Sequence, residues 1–161
     1  MINKKQALPA VLAILFLGVT AAYGQPSALI TDHFNALTNH DVKAIAAGYA
    51  DSAKVYSPNW EGAKTGQAGI TETYNRYFAS TPDLAYKVDH IINAGDQFVV
   101  EYTVSGTLSA PEAGTPDYMK NKKYTLGYCA IFQIKNNKII RETDYFDQLA
   151  FLRQVGFFDQ H

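Results

Sequence analysis

A chain of 161 residues is long enough for one domain with its own core and too short for two. Its 14 basic and 15 acidic residues give a formal net charge of −1, which lacks the basic field that a nucleic-acid partner requires. Cys129 is the only cysteine, so packing must hold the fold without an intrachain disulfide. Its place in an apolar strand pattern predicts a buried structural thiol, and a catalytic thiol is the weaker alternative.

The first 24 residues are typical of a secretory signal peptide. Basic residues at 4 and 5 precede an apolar run over 7–19, and 21–24 is rich in small residues. The run is too short to cross a bilayer comfortably, although an uncleaved membrane anchor is the competing interpretation. We therefore expect a secreted or periplasmic protein, free of the membrane after cleavage, whose mature chain of residues 25–161 carries 12 basic and 15 acidic side chains.

Apolar residues recur at helical spacing in the first part of the mature chain. Leu29, Ile30, Phe34 and Leu37 predict one helix, and Val42, Ile45, Ala46 and Tyr49 predict a second. Asp41 is placed to cap the second helix through its carboxylate. A third helix is predicted between the Thr65-Gly66 break and Pro82, which cannot continue it.

From residue 85 onward the apolar period changes from helical to two, which predicts strands. The predicted strands cover residues 86–92, 98–108, 124–134 and 138–147, with an earlier short strand at 53–57. A long loop at 109–123 interrupts them, and a helix over 148–155 ends at Gly156. Three helices followed by antiparallel strands predict a single α+β domain whose helices cover one face of a bent sheet.

Several short sequence marks resemble the SnoaL-like polyketide cyclase family of the nuclear transport factor 2-like superfamily. The marks, in order, are Thr65-Gly66, Thr81-Pro82-Asp83-Leu84, Ala94-Gly95-Asp96, Gly106-Thr107, Asn137-Lys138-Ile139-Ile140, and Asp147 followed by Leu152-Arg153-Gln154-Val155-Gly156. Each is weak alone, but their order and spacing cover nearly all of the mature chain. The resemblance implies a cone-shaped domain in which a strongly curved antiparallel sheet and three N-terminal helices enclose a pocket.

Two departures from the family pattern fall where the pocket mouth is often shaped. Leu108 stands where the family often has a histidine, and residues 111–123 replace a compact loop. The superfamily fold hosts isomerases, hydrolases, cyclases and proteins without known chemistry, so the fold does not settle the activity. The resemblance also implies a homodimer that pairs through the outer face of the sheet.

Polar residues in phase with the apolar side of a bent sheet are the candidates for chemistry, because they point into its concavity. His90 is in phase with Tyr86, Val88 and Ile92, and Asp144 is in phase with Ile140 and Phe146. A carboxylate buried near an imidazole could serve as a general acid or base near neutral pH. The alternative for His90 is an ordinary core histidine.

Asp147 is a second candidate carboxylate. In SnoaL-like cyclases a terminal aspartate is the acid or base, and in limonene-epoxide-hydrolase-like members a similar aspartate activates water. Alignment on the C-terminal marks favours Asp147, whereas the strand phase favours Asp144 and makes Asp147 a helix cap. Glu101 and Glu142 are interpreted as outward-facing strand charges.

The aromatic fraction of 13% suits a pocket for a flat apolar ligand. The candidate substrate-binding residues are Tyr56, Trp60, Tyr102, Tyr118 and Tyr128. The four histidines, at positions 33, 40, 90 and 161, are scattered, and no metal or cofactor motif is evident.

Two functions remain open at the level of sequence. The first is a cofactor-independent enzyme of cyclase, isomerase or hydrolase type that acts on a small apolar molecule. The second is a non-catalytic module of the same fold that binds a small molecule or another protein. A cavity that brings Asp144 within hydrogen-bonding reach of a second titratable group would favour the enzyme.

Overall fold

A computed structural model describes residues 26–159 of the chain. The predicted signal peptide and His161 lie outside the described residues. Four helices and six strands follow one another in the order α1 (Pro26–Thr38), α2 (Val42–Ala47), β1 (Tyr49–Tyr56), β2 (Lys64–Thr65), α3 (Gly66–Ser80), β3 (Ala85–Ala94), β4 (Gln97–Thr107), β5 (Lys123–Lys135), β6 (Lys138–Phe146) and α4 (Gln148–Gln154). The loop between β4 and β5 contains a one-turn 3₁₀ helix, Asp117–Met119.

The strands form one curved, open sheet with the order β2-β1-β6-β5-β4-β3. Its strand pairs are antiparallel except for β1 and β6, which run parallel. The predicted α+β class and the cone-shaped sheet with helices on its concave side are confirmed. Tyr49 begins β1 instead of ending the second helix, because α2 stops after six residues at Gly48.

Turn and cap residues fix the element boundaries as their chemistry predicts. The Asp41 carboxylate accepts a hydrogen bond from the backbone N–H of Ala44, which caps α2 as predicted. Asn136 and Asn137 both have positive φ, the conformation that a tight hairpin turn needs between β5 and β6. No helix among residues 26–159 is long and apolar enough to cross a membrane.

The main core lies between the concave face of the sheet and α1. Phe98 and Val100 of β4 and Phe132 of β5 are fully buried, as are Ile30 of α1 and Ile139 of β6. These are the apolar positions of the period-two and helical patterns, so burial of one face of each element forms the core.

The position of Gly106 explains why the Gly106-Thr107 mark accompanies the mark that begins at Thr81. A Cβ at this position would overlap Cγ2 of Thr81 and lie 3.4 Å from Cα of Leu84. Thr81 is 2% exposed and β-branched, so it has little freedom to move aside. The glycine therefore allows the end of β4 to pass directly over the turn that follows α3.

We predict that Gly106→Ala lowers the free energy of unfolding by about 1–3 kcal/mol, because the added methyl group overpacks this contact. Gly127→Ala is the matched control, since Gly127 also lies in a strand and its Cβ would meet no atom within 4 Å. The control should change stability by less than about 1 kcal/mol. Urea unfolding of both variants measures this, and equal losses would contradict it.

Candidate functional site

A cavity of about 310 Å³ lies between the concave face of the sheet, α3 and the loop after β4. This volume suits a small organic ligand. Six tyrosines line it: Tyr74, Tyr77, Tyr86, Tyr102, Tyr124 and Tyr128. Leu108, which stands where the family often has a histidine, and Met119 also contribute to the wall. The cavity is therefore mainly aromatic and apolar, with phenol groups at its surface.

Asp144 is the carboxylate that faces this cavity from the sheet. It lies on β6 opposite the fully buried Ala130 of β5, and cross-strand partners point to the same side of a sheet. The predicted position of Asp144 on the concave face is confirmed, although its chemical role stays a prediction.

Glu142 lies on the same face of β6 as Asp144, so its interpretation as an outward-facing charge is wrong. It is only 2% exposed and pairs with the fully buried Phe132. Residues two apart on a strand share a face, so the alternation that places Asp144 inside also places Glu142 inside. The prediction that Glu142 faces outward rested only on its charge. Glu101, in contrast, is exposed as predicted.

Hydrogen bonds connect the two carboxyl groups to each other and to two tyrosines. The Tyr49 hydroxyl donates to Oε2 of Glu142, and the Tyr102 hydroxyl lies 3.5 Å from Oδ1 of Asp144, where it donates a long hydrogen bond. Glu142 and Asp144 are also hydrogen-bonded to each other. Two carboxyl groups can share such a bond only if one of them carries a proton.

Burial makes this pair hold protons at unusually high pH. It raises the pKa of Asp144 to about 7, even though the hydrogen bonds from Glu142 and Tyr102 act in the opposite direction. Burial and the neighbouring Asp144 raise the pKa of Glu142 well above its usual range. Two adjacent buried carboxyl groups cannot both ionise readily, so the pair retains at least one proton at neutral pH.

His90 does not join this pair, and the prediction that it faces the concavity is wrong. A β-bulge at Asp89 shifts the register, so that Val88 pairs with Tyr102 whereas His90 pairs with the exposed Glu101. The extra residue reverses the alternation along the rest of β3. His90 is therefore exposed on the outer face of the sheet.

Asp147 follows β6 and caps α4, as the strand phase predicts. Its carboxylate accepts a hydrogen bond of 2.9 Å from the backbone N–H of Ala150, and its side chain is exposed. It does not line the main cavity.

Of the five predicted substrate-binding aromatics, Tyr102 and Tyr128 line the cavity. Tyr56 does not, because it pairs with Thr143 on the outer face of the sheet. The centroid of its ring lies 4.8 Å from Cζ of Arg141. Tyr118 also lies outside the cavity: the one-turn helix leaves it 42% exposed and turns its neighbour Met119 inward.

Trp60 does not line the cavity either. Its indole packs against the core beside Tyr77, with 6.3 Å between ring centroids, and its Nε1 atom is buried without a hydrogen-bond partner. Trp60 therefore supports the cavity wall from behind. Sequence reasoning did not select Tyr74 and Tyr86 for this wall, although Tyr74 lies on the apolar stripe of α3 and Tyr86 on the inner phase of β3.

Cys129 lies on the outer face of the sheet, so the prediction of a buried thiol is wrong. It pairs with Glu101 and Tyr145, both exposed, and is itself half-buried. Among residues 26–159, no group of histidine, cysteine, aspartate and glutamate side chains is arranged to hold a metal ion.

An ion pair spans the mouth of the cavity. The Arg76 guanidinium of α3 donates to both carboxylate oxygens of Glu112, at 2.7–3.0 Å, and both residues line the cavity. Both side chains are about half exposed, at 49% and 51%, so this bond contributes little to overall stability. Its geometric effect is to hold the loop after β4 beside α3.

A family model described as a SnoaL-like domain matches residues 30–142, well over half of the chain. The chain belongs to the SnoaL-like family. The resemblance found in the sequence is thereby confirmed. The matched segment includes Glu142 and ends before Asp144. No functionally curated protein matches the sequence significantly.

Solved structures share the fold at low sequence identity. AclR from Streptomyces galilaeus, provisionally named a hydroxylase, superposes with a TM-score of 0.71 at 16% identity, covering 84% of this chain and 98% of its own. IdmH from Streptomyces antibioticus, provisionally named a polyketide cyclase, has a TM-score of 0.69 at 20% identity, covering 82% and 99%. A protein with a ketosteroid isomerase-like fold from Catenulispora acidiphila has a TM-score of 0.67 at 18% identity, covering 80% and 92%.

His33 is a buried titratable group outside the cavity wall. It is 4% exposed, neither ring nitrogen has a hydrogen-bond partner in the described structure, and the rings of Phe34, Tyr49 and Phe132 surround it at 5.5–5.6 Å. Burial lowers its pKa to about 4. The histidine is therefore neutral in the folded protein at neutral pH.

We predict that His33 makes the fold sensitive to acid. Below about pH 6.5 the unfolded chain binds a proton that the folded chain excludes, so lowering the pH from 7 to 4.5 should remove about 2–3 kcal/mol of stability through this residue. The raised pKa values of Asp144 and Glu142 act with the opposite sign, because over the same range the folded state binds protons that the unfolded state lacks.

His33→Phe isolates the histidine, since the carboxyl pair contributes equally to both proteins. Its stability relative to wild type should rise as the pH falls from 7 to 4.5, as measured by urea unfolding at each pH. His90→Gln, which removes an exposed histidine outside this core, is the control for the substitution itself. Parallel curves for wild type and His33→Phe would refute the assignment.

Proposed function

We propose that this protein is a cofactor-independent acid/base enzyme that acts on a small apolar carbonyl compound. The observation that carries the proposal is the position of Asp144. Its carboxyl group lies in a tyrosine-lined cavity and is hydrogen-bonded to a second buried carboxyl group, that of Glu142. The pKa of Asp144, raised to about 7 by burial, matches a base that works near neutral pH. An aromatic cavity in which Asp144 is the carboxylate not paired with an arginine suits an apolar substrate that has an acidic C–H bond.

Proton abstraction from carbon needs stabilisation of the oxygen that becomes negative. Asp144 would take a proton from the carbon beside a carbonyl, and the electron pair of the broken C–H bond would move to the carbonyl oxygen. The hydroxyls of Tyr74 and Tyr86 line the cavity and make no hydrogen bond to another described residue. Burial raises the pKa of both phenols, so they stay protonated and can donate to an enolate oxygen.

The enolate would then have two chemical outcomes. Return of the proton from Asp144 to a different carbon gives an isomerase. Attack of the enolate carbon on a second carbonyl of the same molecule, whose oxygen then takes the proton from Asp144, gives a cyclase. The fold relatives IdmH and AclR are provisionally named a polyketide cyclase and a hydroxylase. A solved structure of TerC, which has the same fold at 20% identity, contains polyporic acid. These names support carbonyl-rich ligands as the first compounds to test.

We predict that the wild-type protein catalyses exchange of the α-protons of 2-tetralone for deuterium, followed by proton NMR in D₂O. The rate should rise with pH through about 7 and then level off, because the base acts in its ionised form. Asp144→Asn should lower the rate at least about 100-fold and change the melting temperature little.

Asp147→Asn is the matched control, because asparagine is also a good N-cap and residue 147 lies outside the cavity. This variant should keep both stability and exchange. Loss of exchange in Asp147→Asn but not in Asp144→Asn would reverse the assignment of the two carboxylates. If the wild-type protein and both variants bind 2-tetralone and none of them catalyses exchange, a non-catalytic binding protein is favoured.

We also propose that the protein is exported with cleavage of residues 1–24, and that it forms a homodimer through the outer face of the sheet. The basic and apolar pattern of the N-terminus supports export. The 54% exposed Tyr145 beside Cys129 supports an outer-face contact. The mature protein should begin at or near Gln25 by N-terminal sequencing, and light scattering should give twice the mass of one chain. Intact Met1 would refute export with cleavage. A mass of one chain at all concentrations would refute the homodimer.

A further inference from the structure

The environment of Glu142 is unusual for an ionisable side chain. At 2% exposure it is more deeply buried than Asp144, which reaches the cavity. One of its oxygens accepts the Tyr49 hydrogen bond, and the carboxyl group is also bonded to Asp144. Because a proton is retained most firmly where the charged form is least solvated, the shared proton belongs on Glu142.

The surroundings supply no positive charge that would ionise Glu142. The groups that face the pair are phenols from five elements: Tyr49 of β1, Tyr74 and Tyr77 of α3, Tyr86 of β3, Tyr102 of β4 and Tyr128 of β5. His33 of α1 lies behind Tyr49 and is neutral, and Cys129 lies on the opposite face of β5. The charged side chains that line the cavity with Asp144 are Arg76 and Glu112, and these two are paired with each other.

We propose that Glu142 is a positioning residue that remains protonated and donates its proton in a hydrogen bond to one oxygen of Asp144. Tyr102 donates only a long hydrogen bond of 3.5 Å to Oδ1, so the Asp144 carboxylate keeps lone pairs toward the cavity with which it acts as the base. Tyr49 fixes the orientation of Glu142 by donating to Oε2, which leaves the other Glu142 oxygen to carry the proton. This role rests on the proposed function of Asp144, but it assigns a task to a residue that does not contact the substrate.

The hydrogen bond to Glu142 has a definite effect on the base. It stabilises the Asp144 carboxylate and so opposes the effect of burial. Without a donor at position 142, burial would act almost alone, and Asp144 would hold its proton to higher pH. With an ionised Glu142, repulsion would have the same effect, and the base would be blocked at neutral pH.

Carbon-13 NMR of the side-chain carboxyl groups tests the proton count without any substrate. In the wild-type protein labelled at Asp and Glu, the Glu142 signal should stay at its protonated position at pH 7, while the Asp144 signal titrates. Asp144→Asn and Glu142→Gln assign the two signals. Two carboxylate signals at pH 7 would overturn the proposal.

Two substitutions at position 142 separate the donor role from a structural role. Glu142→Gln keeps an N–H donor toward Asp144 and an oxygen that accepts from Tyr49, so the Asp144 titration should move by less than half a pH unit and deuterium exchange of 2-tetralone should persist (about threefold or less of change). Glu142→Leu removes the donor, so the Asp144 titration should move up by about one pH unit or more, and exchange at pH 7 should fall about tenfold and recover at higher pH.

The Tyr49→Phe/Glu142→Leu double variant guards against a folding artefact, because it also removes the tyrosine hydroxyl that Glu142→Leu would leave buried without a partner. It should reproduce the upward shift of the Asp144 titration. Loss of exchange in a folded Glu142→Gln protein, or an unshifted Asp144 titration in the double variant, would overturn the donor role. Exchange that survives Asp144→Asn would instead refute the proposed function, while the NMR titration still decides the protonation of Glu142.

Discussion

The site depends on two carboxyl groups that lie side by side inside a curved sheet. Among the described residues, neither group has a salt bridge to compensate its charge. Burial opposes their ionisation and their hydrogen bond requires a proton, so Glu142 and Asp144 cannot behave as independent charges. The Tyr49 hydroxyl donates to Glu142, and the Tyr102 hydroxyl donates a long hydrogen bond to Asp144, which partly offsets the cost of burying the pair. The result is one carboxylate that faces a tyrosine-lined cavity with a pKa near the pH at which it would work.

The shape of the sheet decides which side chains meet the pair. The bulge at Asp89 turns His90 outward. A second irregularity, between the Gln133–Arg141 pair and the Ile134–Ile139 pair, leaves Ile139 fully buried and Ile140 partly exposed. Both bulges bend the strands and help to form the concavity. The same irregularities that create the cavity therefore remove one predicted catalytic residue from it.

The sequence marks that this chain shares with its family and its departures from the family lie in different parts of the structure. The shared marks are explained by packing: Gly106 passes over Thr81, and Asp147 caps the last helix. The departures concern the cavity, where Leu108 lies in the wall and the long loop brings Glu112 to Arg76 across the mouth. Such a division is expected when one fold carries different chemistry, because the scaffold must keep its packing while the cavity wall can change.

The sequence by itself determined the α+β class, the first three helices, the caps at Asp41 and Asp147, and the inward position of Asp144, because these follow from apolar periodicity and local hydrogen-bonding chemistry. It also contained the evidence for Glu142, which shares the strand phase of Asp144, but a carboxylate is expected at the surface unless its partners are known. Asp144 is a neighbour on the same strand, but Tyr49 comes from β1, and only the tertiary structure brings its hydroxyl to Glu142. The structure alone likewise decided the place of His90, because a bulge shifts the register of a strand pair and leaves no reliable mark in the sequence of one strand.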